Sequence, residues 1–366
     1  MSNWRARWIA WRNARISDPR FQRFAADFPF TRPMAHSRAR GLFDVVAGFV
    51  YSQVLAACIQ LDLLKKLESG PLYVTELAAA LDVPPAEMAR LLRAAAALDL
   101  VEPIGERYAL GAQGAALLGN SGLAEMIRHH DRLYADLLDP VALLRRGRGE
   151  HLAGYWPYAT VQDPENTEES GVSAYSALMA ATQPAVAADI LTAYPMRGHR
   201  SIMDVGGGQG AFLSAVATRW PHLKLHLFDL PAVVTRARKV LAPYASRTSF
   251  TGGSFFSDPL PAGADLVTLV RILHDHDDAG VRKLLSSARA ALAPGGRLLI
   301  AEPMSDPRGK DRVGDAYFGL YLLAMGRGQA RTPAQITRYA VEAGFSRTRL
   351  LRVRTPGLLR VMIAAP

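Results

Sequence analysis

The stretch DVGGGQGAF, residues 204–212, decides the fold, because four glycines follow directly on a short apolar run. A glycine turn between a strand and a helix lets a ligand approach the backbone and meet the N-terminal end of the helix. We therefore predict a strand, a ligand-binding turn and a helix from about Ala211. Asp229 stands 23 residues after Gly206 and would hold a pair of ribose hydroxyls in a nicotinamide or another nucleoside cofactor. Simple tight packing of the glycines is the alternative.

Around this stretch, the C-terminal part of the chain alternates strand-like and helix-like segments. The strand-like runs are SIMDVG, KLHLFDL, ADLVTLV and GRLLIAEP, and each is followed by a helical or loop segment. This alternation is typical of a doubly wound parallel sheet. We predict an α/β fold with a Rossmann-like sheet over residues 196–366.

The segment before it, residues 41–195, is predicted to be helical, with a winged helix near its start. In VTELAAALDVPPAEMARLLRAAAALDLVEPIGERYAL, Thr75 caps a first helix, residues 86–98 form a second, and residues 101–110 form a hairpin. A DNA-binding regulator is therefore an alternative function. The second helix projects few side chains that could reach base edges, so we predict that it packs and that nucleic acid is no partner.

Length and composition describe an ordinary globular protein. The chain has 366 residues, of which 49% are hydrophobic and 21% are charged, which favours two domains and excludes disordered and low-complexity classes. The single cysteine, Cys58, cannot form an intramolecular disulfide, and this is typical of a reducing compartment. No secretory signal pattern opens the chain.

An N-terminal arm, residues 1–40, holds most of the net charge. Nine arginines and two aspartates give it +7 of the total +10, and Trp4, Trp8 and Trp11 recur at helical spacing. This composition is typical of a helix at an anionic membrane surface. Packing of the indoles on the protein's own surface is an equal alternative, and an organelle transit peptide is a weaker one because serines are few.

An uncharged stretch follows the arm at residues 45–61. Its 17 residues lie between Asp44 and Asp62 and include Ser52, Gln53 and Gln60. The length is at the lower limit for crossing a bilayer. We predict a buried or dimer-interface helix, with membrane insertion as the alternative.

Three later motifs narrow the choice of cofactor. They are FTGGSFF at residues 250–256, LVRILHDHDD at 269–278 and LAPGGRLLIAEP at 292–303. In order and spacing they resemble the S-adenosylmethionine-dependent O-methyltransferases of the caffeic acid and hydroxyindole type. The N-terminal winged-helix segment is similar to the domain through which that family dimerises. The resemblance implies methyl transfer from S-adenosylmethionine to a hydroxyl by a homodimer.

A narrower resemblance concerns the acceptor. Residues 40–64, RGLFDVVAGFVYSQVLAACIQLDLL, together with the arm, are similar to bacterial carotenoid O-methyltransferases of the hydroxyneurosporene or demethylspheroidene type. This implies an apolar acceptor, the 1-hydroxy group of an acyclic carotenoid, and a cytoplasmic enzyme at the inner face of a photosynthetic membrane. A phenolic, polyketide or tetrapyrrole acceptor is the alternative within the same fold.

The family resemblance also implies site residues. The family's base is the first histidine of an HDW motif, here His274, and its partner is the glutamate after the fifth strand, here Glu302. A histidine held by a carboxylate can accept the proton of a hydroxyl. The implied cofactor-binding residues are Asp204, Gly206, Gly208, Gly210, Asp229, Leu230, Ser254, Phe255 and Arg271.

Three positions depart from the family pattern. Ser254 replaces an acid, so at best a hydroxyl contact to the adenine amine is expected there. His276 stands where many members have tryptophan, and Gln335 stands where a second glutamate would flank the base. We therefore expect a less acidic site in which a single carboxylate orients His274.

Residues 315–328, DAYFGLYLLAMGRG, correspond to the helix that lines the acceptor pocket in the resembling family. A core helix is the alternative. His129 and His130 are predicted to lie on a solvated helix face, with a place in the substrate pocket as the alternative. The predicted acceptor contacts are Tyr317, Phe318, Tyr321 and Met325.

The run HDHDD has the composition of a metal cluster, with His274, His276, Asp277 and Asp278 as possible ligands. No second histidine group stands at metal spacing. We therefore predict no metal, and expect Asp277 and Asp278 to cap a helix that starts at Ala279.

Overall fold

The structure is a computed structural model, and it describes residues 3–155, 182–306, 308, 311–354 and 359–366. The chain divides into two compact units, Met1–Leu118 and Gly119–Pro366. The boundaries predicted from sequence, after residues 40 and 195, divide it differently. Two helices that begin at Ser121 and Pro140 pack in the second unit, against the helix Phe318–Met325.

The first unit is helical with a small antiparallel sheet in the order β1-β3-β2. The order of a helix–turn–helix followed by a hairpin is compatible with the predicted winged helix. The first of these helices begins at Val74 instead of being capped by Thr75, because the Glu76 carboxylate accepts the Tyr73 N–H at 2.7 Å. The elements are α1 Asn3–Ser17, α2 Pro19–Asp27, α3 Arg32–Gln60, α4 Leu63–Lys66, β1 Leu72–Tyr73, α5 Val74–Ala80, α6 Pro85–Ala97, β2 Val101–Ile104, β3 Arg107–Leu110 and α7 Ala112–Leu118.

Helix α3 contains the uncharged stretch, and only its C-terminal end is buried in the unit. Ala56, Cys58 and Ile59 are buried, whereas Phe43 and Phe49 are exposed. The buried alternative is therefore wrong for most of this stretch. By length and composition alone the helix could cross a membrane, which is weak evidence for a helix so near the N-terminus.

The second unit is built on a seven-stranded sheet in the order β6-β5-β4-β7-β8-β10-β9, in which only β10 is reversed, because it runs antiparallel to both of its neighbours, β8 and β9. The predicted α/β class is confirmed. Its strands are β4 Ser201–Val205, β5 Lys224–Asp229, β6 Thr248–Gly252, β7 Ala264–Val270, β8 Leu292–Glu302, β9 Arg347–Leu351 and β10 Arg360–Ala365. Its helices are α8 Ser121–Leu137, α9 Pro140–Arg146, α10 over residues 182–193, α11 Ala211–Arg219, α12 Pro231–Val240, α13 Asp278–Ala291, α14 Phe318–Met325 and α15 Pro333–Glu342.

Both faces of this sheet are buried. Leu227 packs on one side, in a cluster with Phe212, and Phe228 packs on the other, in a cluster with Tyr339. Such two-sided burial explains the continuous apolar runs in the sequence. The chain order reverses between β4 and β7, and in open α/β sheets ligands bind outside the carboxyl ends of the strands at such a point.

Candidate active site

The glycine turn lies where β4 ends and α11 begins. Gly208 and Gly210 have φ values of 57° and 83°, a left-handed conformation that favours glycine. A Cβ atom at Gly210 would lie 2.7 Å from the Leu241 side chain, whereas one at Gly208 would meet nothing within 4 Å. The turn is therefore packed at its helical end and open at Gly208, which leaves room for a ligand.

Asp229 connects this turn to the end of β5. Its two carboxylate oxygens accept the backbone N–H groups of Gly208 and Leu230, each at 2.7 Å. Burial raises the pKa of Asp229 to about 6, although these two hydrogen bonds oppose the rise. The predicted ribose carboxylate is thus fixed beside the open part of the turn.

The buried side chain of Asp204 packs against the glycine turn at Gly207. Thr268 donates its hydroxyl to the Asp204 carboxylate at 2.6 Å, and a Cβ at Gly207 would lie 2.8 Å from the other carboxylate oxygen. Burial raises the pKa of Asp204 to about 7. An open glycine turn with a fixed carboxylate fits the nucleoside part of S-adenosylmethionine, and direct contact of Asp204 with the cofactor stays a prediction.

Ser254 and Phe255 follow β6. The Ser254 hydroxyl accepts the Phe256 N–H at 3.3 Å, and its backbone N–H donates to Asp258 at 2.8 Å, so both polar groups stabilise a turn. The Phe255 ring lies near Gly206, 3.7 Å from the position of an added Cβ. The contacts of Ser254 and Leu230 to adenine stay predictions, while Phe255 borders the glycine turn.

His276 is an aromatic packing residue in this structure. Its ring meets Phe255 and Phe256 edge to face, with centroid distances of 5.4 and 4.9 Å. Burial lowers the pKa of His276 to about 4, so the ring is neutral at pH 7. The substitution of tryptophan by histidine thus keeps an aromatic ring at this position.

His274 lies on a short 3₁₀ turn, Leu273–Asp275, and is buried. Its Nδ1 is 2.5 Å from a carboxylate oxygen of Glu302, at the end of β8. The other oxygen of Glu302 accepts the N–H groups of Ile272 and Leu273 at 2.8 and 2.7 Å. The structure therefore brings together the predicted base and its partner and fixes the carboxylate by the backbone of the same turn.

Asp275 is a site residue that the sequence analysis missed. One of its carboxylate oxygens lies 3.1 Å from His274 Nε2, on the side opposite Glu302. This oxygen is buried and has no hydrogen-bond partner among the described residues. Glu302 is the one carboxylate hydrogen-bonded to the His274 ring among the described residues, and the tight turn brings a second carboxylate, that of Asp275, close to the ring without a hydrogen bond. Burial raises the pKa of Asp275 to about 6.

The two carboxylates determine the charge of His274. Burial is the largest single influence and favours the neutral ring, but Asp275 and Glu302 together outweigh it. The net result is a raised pKa for His274. The turn therefore stabilises an imidazolium, the species that forms when the ring accepts a proton.

Arg271 lies just before the histidine turn and has an unusual backbone. Its φ of 61° is left-handed, and its N–H donates to Ala301 at 2.8 Å. Its guanidinium donates to the Thr182 hydroxyl at 2.7 Å. Burial raises the pKa of Tyr317, and the charge of Arg271 opposes this rise, as it opposes the raised pKa of His274, so the guanidinium lies near both side chains. A contact between Arg271 and the cofactor stays a prediction.

A wall of aromatic rings faces the base from α14 and the π-helical segment Arg312–Tyr317 before it. The Phe318 ring lies 6.2 Å from His274, and Tyr317 stacks on Tyr321 with centroids 5.8 Å apart. Met325 is fully buried in the cluster around Leu143. Tyr317, Phe318 and Tyr321, three of the four predicted acceptor residues, thus form one aromatic wall. Met325 instead packs in the core, which is the alternative stated for this helix.

His129 and His130 are not on a solvated face, and this prediction is wrong. His129 Nε2 lies 2.9 Å from the Tyr321 hydroxyl, and His130 Nε2 lies 2.7 Å from that of Tyr317. Burial lowers the pKa of both rings, that of His129 to about 4. The reason is that α8 packs against α14. The substrate-pocket alternative fits this geometry.

Arg331, also missed, fixes the turn that carries His274. This arginine is 2% exposed and donates to the carbonyl oxygens of Leu273 and His276 at 2.8 and 2.7 Å. It also pairs with Asp278 at 2.8 Å. A buried arginine needs several acceptors, and the carbonyl groups of this turn supply them, but neither the burial nor the turn can be read from the sequence.

Gln335 and Asp277 cap helices. Gln335 accepts the Thr332 N–H at 2.8 Å at the start of α15, so its described bonds stabilise that helix. Asp277 caps α13 through the Gly280 N–H, as predicted, whereas Asp278 bonds to Arg331. Among the described residues, no group of three or more acidic, histidine or cysteine side chains is arranged to hold a metal.

Two family models match the chain. A model described as the O-methyltransferase domain matches residues 134–346, more than half of the chain. A second, described as the O-methyltransferase dimerisation domain, matches residues 43–120.

Individual proteins match over most of the chain. Demethylspheroidene O-methyltransferase of Rhodobacter capsulatus is 41% identical over 337 residues, which cover 92% of this chain and 84% of that enzyme. The enzyme of the same name from Cereibacter sphaeroides is 43% identical over 346 residues, covering 93% and 89%. The crystal structure of human N-acetylserotonin methyltransferase in complex with SAM superposes with a TM-score of 0.74 at 26% identity, covering 90% and 97%.

Proposed function

Since the chain belongs to the S-adenosylmethionine-dependent O-methyltransferase family, we propose that its acceptor is the 1-hydroxy group of an acyclic carotenoid. The observation that carries this proposal is the identity of 41% and 43%, over more than nine tenths of the chain, with two enzymes named for demethylspheroidene. The enzyme uses S-adenosylmethionine and acts on a small molecule.

The dimerisation domain supports a homodimer. In this domain, α3 exposes an apolar face that includes Phe43, Val46 and Phe49. An exposed apolar face of this kind marks an interaction surface. We propose that a second copy of the chain covers it.

The aromatic wall supports an apolar acceptor. The hydroxyls of Tyr317 and Tyr321 are bonded to His130 and His129. Because these polar ends are already paired, the wall offers mainly ring surface next to His274. Ring surface suits a polyene chain better than it suits an acceptor with several hydroxyl groups.

The chain's own chemical task is to remove one proton. Bound S-adenosylmethionine supplies a methyl group on a positively charged sulfur, which is already a strong electrophile. A tertiary alcohol is a weak nucleophile, so its proton has to leave as the new carbon–oxygen bond forms. Glu302 accepts a hydrogen bond from the Nδ1–H of His274, which leaves Nε2 with the lone pair that takes the proton of the acceptor hydroxyl.

Asp275 makes the proton transfer to His274 depend on pH. Its carboxylate lies on the Nε2 side and stabilises the imidazolium before any acceptor is bound. Only the neutral ring can accept a proton. Activity therefore rises with pH as the imidazolium loses its proton, with an apparent pKa above the ordinary value of a histidine.

We expect Asp275→Asn to move this rising limb to lower pH. Removing the negative charge destabilises the imidazolium, so the pKa of His274 falls and the neutral ring is present at lower pH. The measurement is kcat/KM as a function of pH. Asp277→Asn, which removes an exposed carboxylate two residues away, should leave the limb in place. An unmoved limb in Asp275→Asn would show that this carboxylate does not control the base.

The proposed acceptor is tested by product analysis. The purified enzyme is incubated with S-adenosylmethionine carrying a labelled methyl group and a 1-hydroxy carotenoid in detergent micelles, and parallel reactions contain a phenol, a polyketide or a tetrapyrrole. Label in the methyl ether of the carotenoid is expected. Transfer to another acceptor, with none to the carotenoid, would replace the proposal by that acceptor class.

A further inference from the structure

The N-terminal helix α1 presents its tryptophans to solvent. Trp4, Trp8 and Trp11 are 72%, 50% and 61% exposed. With 3.6 residues per turn, they fall within an arc of about 60° on one side of the helix. The alternative in which these indoles pack on the protein's own surface does not hold in the described chain, so they form an apolar stripe without a covering element.

Arginines flank this stripe on both sides. By the same helical geometry, Arg7 lies beside one edge of the stripe, and Arg5 and Arg12 lie beside the other edge. The Arg12 guanidinium lies 5.2 Å from the centre of the Trp8 ring. Indoles bordered by guanidinium groups are typical of helices in the headgroup region of an anionic membrane.

The aromatic surface continues beyond α1. Phe24 and Phe28 stack with centroids 5.3 Å apart, and Phe28 contacts Phe30. All three are exposed, and Ala25 is the one buried residue of α2. The stripe and this cluster together give residues 4–30 an aromatic surface within a segment of strong positive charge.

This surface lies outside both family models. The dimerisation model begins at residue 43 and the catalytic model at residue 134. The shared functions of the family, dimer formation and methyl transfer, are therefore assigned to other parts of the chain. The charge of the arm also argues against a second arm as its partner, because two segments of +7 repel each other.

We propose that residues 4–30, here called the docking arm, bind the anionic surface of a lipid bilayer at its cytoplasmic leaflet. The indoles and phenylalanines enter the headgroup region while the arginines pair with lipid phosphates. Docking places the enzyme where an apolar alcohol dissolves. This benefit rests on the proposed acceptor, whereas lipid binding by the docking arm does not.

Vesicle sedimentation of the full chain tests the docking arm. Vesicles of phosphatidylglycerol and phosphatidylcholine are compared with phosphatidylcholine alone, at low and high salt. We expect binding to the anionic vesicles only, and weaker binding at high salt. Equal binding to both vesicle types, or no binding to either, would overturn the proposal.

Two sets of substitutions identify the residues that bind. Trp4, Trp8 and Trp11 are changed to serine in one variant, and Arg5, Arg7 and Arg12 to glutamine in another. Each arginine near an anionic surface contributes enough that the second variant should bind on the order of 100-fold more weakly. A matched control removes the same charge from exposed positions elsewhere, with Lys66, Arg93 and Arg145 changed to glutamine. If the control variant loses as much affinity for anionic vesicles as the arginine variant, net charge alone explains the binding and the proposal is overturned.

Turnover separates docking from chemistry. With the acceptor in anionic vesicles, we expect the tryptophan variant to be at least about tenfold slower than wild type. With the acceptor in detergent micelles, both should react equally. Equal rates in vesicles would overturn the proposal, while no reaction in micelles by wild type would contradict the proposed acceptor instead. Competition by duplex DNA stronger than by anionic vesicles would assign the docking arm to nucleic acid.

Discussion

His274→Ala is expected to lower kcat by about 10²–10⁴-fold, the usual contribution of a general base. The residue lies on the turn Leu273–Asp275 and its ring contacts Glu302, Asp275 and Phe318, none of which belongs to the glycine turn. Affinity for S-adenosylmethionine should therefore remain close to that of wild type. The loss of activity is chemical, because the hydroxyl loses the group that takes its proton.

Two measurements test this expectation together. Titration calorimetry gives the dissociation constant for the cofactor, and single-turnover kinetics gives the rate of methyl transfer. The matched control is His276→Phe, which removes a neighbouring imidazole but keeps the ring that packs on Phe255 and Phe256. This control should retain most of its activity. Loss of cofactor binding in His274→Ala would assign the histidine to the cofactor instead of the acceptor.

The sheet and the glycine turn were predictable because their signals are local. Strands β4, β5, β7 and β8 coincide with the four apolar runs, since parallel strands buried on both faces carry continuous apolar sequence. The turn at Gly208 needs a left-handed backbone, and glycine reveals this in the sequence alone. The pairing of His274 with Glu302 followed from family resemblance, since 27 residues separate them.

Asp275, His129 and His130 could not be placed in this way. Residues adjacent in sequence usually point in different directions, and only the conformation of the 3₁₀ turn brings Asp275 against the ring of its neighbour. The two histidines of α8 contact tyrosines that are 192 and 187 residues away in the sequence. Polar residues on an amphipathic helix suggest a solvated face unless the packing partner is known.

Gln335 illustrates a different limit. Its position in a family motif suggested a place beside the base, but the side chain completes a capping box with Thr332. A Gln at N3 does this as well as a Glu. Arg331, four residues before Gln335 in the segment RTPAQI at residues 331–336, is the residue that reaches the histidine turn, through the carbonyl oxygens of Leu273 and His276. A short motif therefore identifies the segment correctly without saying which of its side chains acts.

Glu302→Gln is expected to lower kcat nearly as much as loss of His274, by about 10²–10⁴-fold, although the two side chains have the same shape. One oxygen of Glu302 accepts the N–H groups of Ile272 and Leu273, and an amide nitrogen cannot replace it because a donor would then face two donors. The new NH₂ group must therefore face His274 Nδ1. The ring then becomes an acceptor at Nδ1 and carries its proton on Nε2, where it cannot accept another.

Nitrogen-15 NMR of labelled histidine distinguishes this tautomer from the wild-type one, and kinetics of the single and double variants test its consequence. Because the two residues act as a unit, His274→Ala combined with Glu302→Gln should be no slower than His274→Ala alone. A further loss in the double variant would mean that Glu302 contributes independently of the ring, for example by fixing the backbone of the turn. An unchanged tautomer in Glu302→Gln, together with lost activity, would lead to the same conclusion, because the carboxylate would then act through the N–H groups of Ile272 and Leu273.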